Sequence, residues 1–412
     1  MQSRLPDTTS PSKDSPDARW SRTASAEAGA DHLTPAAILA EGSSPNISTD
    51  IGDGMWQEPV HTTVLRRLIS IPGVMLLSAI YVALLPVLLA YSVVADLVRR
   101  RPMLLARFHL TIVSVLLWHV IGIFALLVWW IAGARWLGYR PRNWRGWNRL
   151  LEGWWGDKAI GIPELFYGMR MEVEGDEQLM PGPVLCFSRH TSVIDTMLPL
   201  RILEHRHGMI ARIVKKRELL WDPCVDGVSH RLPRTFVARG SDHGSDLALI
   251  CNLADGMGDR DALWIYPEGT RFTPQKRQHI LGRLRERHPE AAERAEELHY
   301  TLPPRPGGTL ALLDRCDGMD VVFCAHTGME GANRLENAIN GSLLGKTVKV
   351  KFWRVSASDI PESREERLDW LHSWWQRIDR WVAENHTESC YGSAAASPEA
   401  PATQAPGSGP GS

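Results

Sequence analysis

The sequence predicts an α/β domain, a sheet with helices on its faces, carried behind a hairpin of two apolar helices. Two uncharged runs, 68–95 and 108–134, stand close together early in the chain. Beyond residue 169, short β-rich runs alternate with helix-like stretches, the pattern of a sheet with helices packed against it. A third observation is compositional: 17 Trp outnumber the 7 Tyr and 8 Phe together, and eight of those Trp fall between Trp118 and Trp155.

Taken in order, residues 1–60 are rich in Ser, Thr, Pro, Asp, Gly and Ala and hold few large apolar side chains. They are expected to form a disordered tail, because they bury too little to offset the entropy of ordering. A signal peptide is not expected, since no basic start leads straight into an apolar stretch. Residues 64–137 are expected to form a membrane helical hairpin. Both runs exceed the ~20 apolar residues that cross a bilayer, and soluble helices of such length keep a polar face. Their length allows either full spans or a hairpin that dips in and returns. The turn carries Arg99, Arg100, Arg101 and Arg107; the flanks carry Arg66 and Arg67 on one side and Arg135, Arg140, Arg142, Arg145 and Arg149 on the other. By the positive-inside rule the flanks prevail, which predicts an integral membrane protein with its C-terminal domain on the cytoplasmic face.

The Trp cluster falls where the second run ends. Trp129, Trp130 and Trp136 close that run, and Trp prefers the headgroup region. Residues 138–168 read as an amphipathic Trp-rich linker: Trp144, Trp147, Leu150, Leu151, Trp154 and Trp155 recur at helical spacing with Arg142, Arg145 and Arg149 between them. The expectation is a helix lying in the membrane interface; packing on the following domain by the same face is the alternative.

Residues 169–386 make the α/β domain. Strands are predicted at MRMEVEG, PVLCFS, MIARIV, RTFVA, ALWIYP, DVVFCAHT and TVKVKFW, and helices at 193–205, 244–257, 276–299 and 308–316. The stretch 276–299 is charged all over and is expected to be an exposed helical insertion. Near the end, Leu368, Leu371, Trp375, Ile378 and Val382 form an apolar stripe, expected in the core. Residues 387–412 are expected to be a second loose tail. The charges balance, 46 Lys and Arg against 47 Asp and Glu, which excludes a strongly basic nucleic-acid binder. Six scattered Cys without a C-x-x-C pair give neither a zinc site nor a disulfide framework, as expected of reduced thiols facing the cytosol.

Four motifs follow strand ends, the usual place for ligands on such a sheet. The strand PVLCFS runs into RHTSVID, with His190 and Asp195 spaced H-x4-D. A carboxylate holding one imidazole nitrogen leaves the other to take a proton from a hydroxyl. Next come Lys216 and Glu218 in KKREL, then Arg239 in RTFVARG, then the turn Pro267-Glu268-Gly269-Thr270-Arg271. Gly269 permits close backbone approach, and the guanidinium of Arg271 suits a phosphate. Taken singly, each of these cations could be a plain surface charge.

In this order the motifs resemble the glycerophospholipid acyltransferase family, above all the 1-acylglycerol-3-phosphate acyltransferases. The resemblance covers about 169–355 and extends to the preceding hairpin, which many members possess. It implies an acyltransferase-type mixed sheet flanked by helices. It also implies an O-acyltransferase that moves an acyl group from acyl-CoA or acyl carrier protein to a lysophospholipid, most simply 1-acylglycerol-3-phosphate giving phosphatidate. Acceptors with another headgroup and a catalytically dead lipid-binding protein are the alternatives. By the resemblance, His190 is the general base and Asp195 orients it. Arg271, with Arg239 and Lys216, holds the acceptor phosphate. Glu268, Gly269 and Thr270 belong to the acceptor site, and Arg305 in LPPRPGG is a further candidate contact. The expected partners are membrane lipids, the lysophospholipid and the acyl thioester. No bound cofactor, metal or nucleic acid is implied. One departure stands out: the strand VVFCAHTG lacks the Pro common in the family's last motif, and Cys324 and His326 occupy that region. The bland reading of these two is a lining of the sheet.

Overall fold

All seven β-rich runs form strands of one sheet. They are β1 (Arg170–Glu174), β2 (Val184–Ser188), β3 (Ile210–Lys216), β4 (Arg234–Val237), β5 (Asp261–Ile265), β6 (Asp320–Thr327) and β7 (Thr347–Val355). The order across the sheet is β1-β7-β6-β2-β5-β3-β4. Only β6 and β7 pair antiparallel, so the sheet is mixed. The centre is β2, buried at every position, as a continuous apolar run in a parallel sheet must be. The computed structural model describes residues 58–133, 144–238, 243–333 and 335–386. Both expected tails, apart from 58–60, lie outside these residues, as do Trp136, Arg135, Arg140, Arg142 and Arg239.

Helices cover both faces. One face holds Cys186, Trp264 and Phe352 against Ile160, Tyr167 and the segment 198–203. The other holds Phe187, Leu263 and Phe323 against Leu310, Leu313, Leu371, Trp375 and Ile378. The C-terminal stripe, on the helix Arg364–Asn385, is therefore core, and Trp374 stacks on Phe323 with centroids 4.5 Å apart. The predicted helix at 193–205 is instead a 3-10 turn at Ile194–Met197 and a π-helical turn at Leu200–Arg206. The side chain of Asp195 binds the backbone just before it and tightens the chain into a turn. The charged insertion divides at Pro289 into Pro274–Arg287 and Pro289–Glu296, since Pro is a good first residue of a helix and a poor interior one.

The two apolar runs form α1 (Val60–Val98) and α2 (Leu104–Ala132), both long and apolar enough to cross a membrane, with mean hydropathy 2.4 and 2.5. At 1.5 Å per residue α1 is roughly 58 Å long, well beyond a ~30 Å hydrocarbon layer. It stays helical through Pro72 and Pro86. Its apolar side chains are largely exposed, among them Leu68, Leu76, Val87 and Val94. The two helices pair through Tyr81 Oη and His109 Nδ1, 2.6 Å apart. At the turn, Asp96 accepts the N–H groups of Leu105 and Ala106 and so caps α2.

The Trp-rich segment corrects the expectation. It forms α3 (Trp144–Tyr167), and α3 packs between α2 and the sheet rather than lying with a face in the interface: Leu151, Trp155, Ile160 and Tyr167 are buried. Trp129 of α2 packs on Trp147, and Trp118 on Trp154. Gly122 lets the helices approach this closely, since a Cβ there would stand 2.8 Å from Cys224 Sγ and 3.2 Å from the Trp155 ring. Arg149 and Glu152 of α3 are used internally. Arg149 donates to the Glu204 carbonyl at 2.7 Å. Glu152 takes Lys215 at 2.8 Å and also pairs with Arg234, which in turn meets Glu204. Burial raises both acids. The charges of Arg234 and Lys215 overcome this at Glu152 and hold it ionised, whereas Glu204, facing Glu152, is pushed up. This cluster fastens α3 to β3 and β4.

Candidate active site

Side by side in the sheet, β2 and β6 match Ser188 with Cys324, so Arg189 and His190 leave β2 level with the last residues of β6. On the other side, β5 matches Ile265 with Phe187 and then turns through 266–271. The site forms where these three strands end.

His190 Nδ1 lies 2.9 Å from Asp195 Oδ1. The other carboxylate oxygen accepts the N–H of Thr191 at 2.5 Å and that of Ser192 at 2.8 Å. Burial pushes the Asp195 carboxyl up, but the bond from His190, the charges of His190 and His326 and the Ser192 N–H outweigh it, and its pKa is lowered. Asp195 is therefore an ionised, fully buried acceptor that fixes the imidazole with its proton on Nδ1 and leaves Nε2 available to a substrate. The Tyr266 ring packs against His190, tilted by 30° with centroids 4.4 Å apart, while its hydroxyl donates to the Asp195 carbonyl at 3.0 Å. This fixes the plane of the imidazole as well as its tautomer.

The backbone of His190 is held on both sides. Its N–H reaches Glu268 Oε1 at 3.3 Å, and its carbonyl accepts the Phe272 N–H at 2.7 Å. Glu268 Oε2 accepts the Leu302 N–H at 3.2 Å. Glu268 thus lies beneath the site, 1% exposed, rather than facing an acceptor. Burial pushes its carboxyl up to about 8, against the opposing pull of Arg189 and the two N–H groups. Two buried carboxyls beside one histidine are thus driven to opposite protonation states.

Beyond Glu268 the turn needs Gly269. Its φ is +66°, and a Cβ there would stand 2.8 Å from Arg305 Nε, so Arg305 packs over the turn. The Arg305 N–H also binds the Pro267 carbonyl at 2.8 Å. Lys276 donates to Thr270 Oγ1 at 2.8 Å and to the Arg271 carbonyl at 3.1 Å. Burial and then the charges of Arg271 and Lys216 lower the pKa of Lys276, which places these three cations in one field. Among the described residues, none of Lys216, Arg271, Lys276 and Arg305 has a carboxylate within ion-pair distance. This patch is an unneutralised positive surface suited to a phosphate. Arg239 lies outside the described residues. Among those residues no cluster of three or more His, Cys, Asp or Glu could hold a metal.

Motif reading singled out His326 but not Arg189, Tyr266 or Lys276. Arg189, fully buried, donates to the Tyr300 and His326 carbonyls and to Glu330 Oε1 at 2.7 Å, which staples the ends of β2 and β6 to the 300 loop. His326 lines the sheet, with Nε2 at 2.8 Å from the Arg189 carbonyl and 3.6 Å from Asp195 Oδ2; burial pushes its imidazole down. Tyr266 and Lys276 complete the set. Arg189 and Tyr266 sit within the quoted motifs, and their signal was adjacency to His190 and Pro267.

Residues 170–306 match the Acyltransferase family. The match spans the motif positions from His190 to Arg305 and leaves out the hairpin, β6 with its VVFCAHTG motif, and β7. It bears out the acyltransferase resemblance of the motifs. The crystal structure of the 1-acyl-sn-glycerophosphate (LPA) acyltransferase PlsC from Thermotoga maritima is similar at 15% identity, over 66% of this chain and 97% of that one, with a TM-score of 0.39. No curated protein matches this chain in sequence.

Proposed function

We propose that the protein transfers an acyl group from an acyl thioester, acyl-CoA or acyl carrier protein, to the free hydroxyl of a lysophospholipid. The acceptor that fits best is 1-acylglycerol-3-phosphate, giving phosphatidate. The observation that carries this reading is the His190–Asp195 pair, with an ionised carboxylate on Nδ1, set at the same strand ends as a patch of unpaired cations. A phosphate on Lys216 and Arg271, with Arg239 and Arg305 as further contacts, places the acceptor hydroxyl near His190 Nε2. The imidazole takes the hydroxyl proton as the oxygen attacks the thioester carbonyl. The tetrahedral intermediate then expels the thiolate, the C–S bond breaks, and the thiolate leaves with the proton from His190. Asp195 stabilises the transient imidazolium and does not itself take up the proton. No acyl-enzyme is needed. The two apolar helices make the protein integral to the membrane, with the domain on the cytoplasmic face, where a water-soluble thioester is available.

The test is product analysis with purified full-length protein, oleoyl-CoA and a panel of lysophospholipids. Phosphatidate made from lysophosphatidate in preference to products of choline or ethanolamine acceptors supports the reading. Full activity in His190→Ala would sink the mechanism.

A further inference from the structure

A cavity of about 480 Å³ lies between the first turns of α1 and the segment that follows β3. This falls within the usual span of small-molecule sites, roughly 300–1,000 Å³. Leu65 and Ile69 of α1 face Leu220 and Trp221 across it, so its walls are chiefly apolar. Arg217 and Ala238 line it as well, and they directly follow Lys216 and directly precede Arg239. The cavity therefore lies next to the phosphate-binding patch. On α1 its wall continues into the exposed apolar surface of Leu68 and Leu76. Trp221, which lines it, is left 55% exposed, an unfavourable state for such a side chain in water and a favourable one against lipid.

The walls are held at a fixed distance. Arg66 donates to the Leu220 carbonyl and to Asp226 at 3.0 Å, and Arg67 reaches the same carboxylate at 2.6 Å. On the other side of the segment, His119 of α2 lies 2.9 Å from Asp222. Of the two carboxylates on the wall, Glu58 is paired with Arg66.

We propose that this cavity receives the acyl chain of a single-chain anionic phospholipid, the acceptor, which arrives laterally along α1 and turns its phosphate toward Lys216. The proposal rests on the acyltransferase reading above and names the substrate feature that the hairpin selects. An apolar slot bounded by a membrane helix, with cations beside one end, matches an amphiphile with one chain and one anionic head.

Leu65→Trp and Ile69→Trp would fill the slot; Val94→Trp, exposed near the other end of α1, is the control. With purified full-length protein, kcat/KM is compared for 1-oleoyl- and 1-hexanoyl-glycerol-3-phosphate, and KM is measured for oleoyl-CoA. The filled variants should lose about tenfold in kcat/KM for the oleoyl acceptor relative to the hexanoyl one, as for a crowded apolar pocket. The control should keep the wild-type ratio. An equal loss for both acceptors, or a rise confined to the KM of oleoyl-CoA, overturns the proposal. A second measurement needs no turnover: wild-type protein is photolabelled with lysophosphatidate bearing a diazirine at the chain end. Label at 65–69 or 219–221 supports the site; label confined elsewhere overturns it. A wild-type protein that makes no product from any acceptor overturns the transferase reading alone, and the labelling still decides the cavity.

Discussion

Glu268→Gln tests the inference that a neutral acid underlies His190. The native carboxyl is pushed up to about 8 from an ordinary value near 4.5. A group raised in the folded state leaves stability intact below its unfolded pKa and erodes it as the pH climbs toward the folded value. For Glu268 the erosion begins near pH 4.5 and is nearly complete by pH 8. Integrating the two titrations gives about 3.5 kcal/mol between pH 5 and pH 8, an upper figure for a site that can relax. Gln cannot ionise, so the variant escapes this loss. It also has one carboxamide oxygen for two N–H groups, those of His190 and Leu302, a fixed cost of about 1–3 kcal/mol at every pH. The variant should therefore be less stable than wild type at pH 5, with the gap closing or reversing by pH 8. The assay is thermal unfolding in detergent across that range, reported as the difference between the two proteins. Taking the difference cancels the similar contribution of Glu204, which burial also raises. Parallel curves would show that Glu268 is ionised in the folded protein and refute the reasoning.

Other expectations follow from the same geometry. Asp195→Asn should keep the fold and lower kcat by about 10³, because the amide no longer enforces the proton on Nδ1; steady-state kinetics with circular dichroism as a folding control decides it. Arg271→Ala should raise KM for the phosphate acceptor about tenfold while KM for acyl-CoA stays near wild type, since a charge-assisted bond is worth ~1.5–3 kcal/mol. Arg234→Met leaves Glu152 and Glu204 facing each other without their shared guanidinium, and should cost about 3–5 kcal/mol of stability, read as a lowered unfolding midpoint.

The strands were legible because β-rich runs bounded by turn residues have few alternatives, and the buried centre VLCFS reads apolar throughout. His190 and Asp195 were legible because five positions suffice to bring them together. What escaped was contact between distant positions. Arg189 meets Glu330 across 141 positions, and no local pattern records such a partner. The packing of α3 escaped for a similar reason: Arg149 and Glu152 find their partners Glu204, Lys215 and Arg234 far along the chain, and these take them inside. At 193–205 the apolar spacing was compatible with a helix, but the bonds from Asp195 to the backbone ahead of it took precedence.

The docking of α2 changes how substrate supply should be counted. From Leu104, beside Gly341, to Leu126, beside Gly227, the helix rests on the α/β domain along most of its length. It does not act as a leash. A tethered domain samples a volume set by its linker; this one moves only as the hairpin moves. Once the hairpin is in a bilayer, the depth of His190 is set by the protein. The acceptor concentration that matters is then its mole fraction among neighbouring lipids, so diluting it with inert lipid at constant bulk concentration should slow turnover, whereas adding more vesicles of the same composition should not.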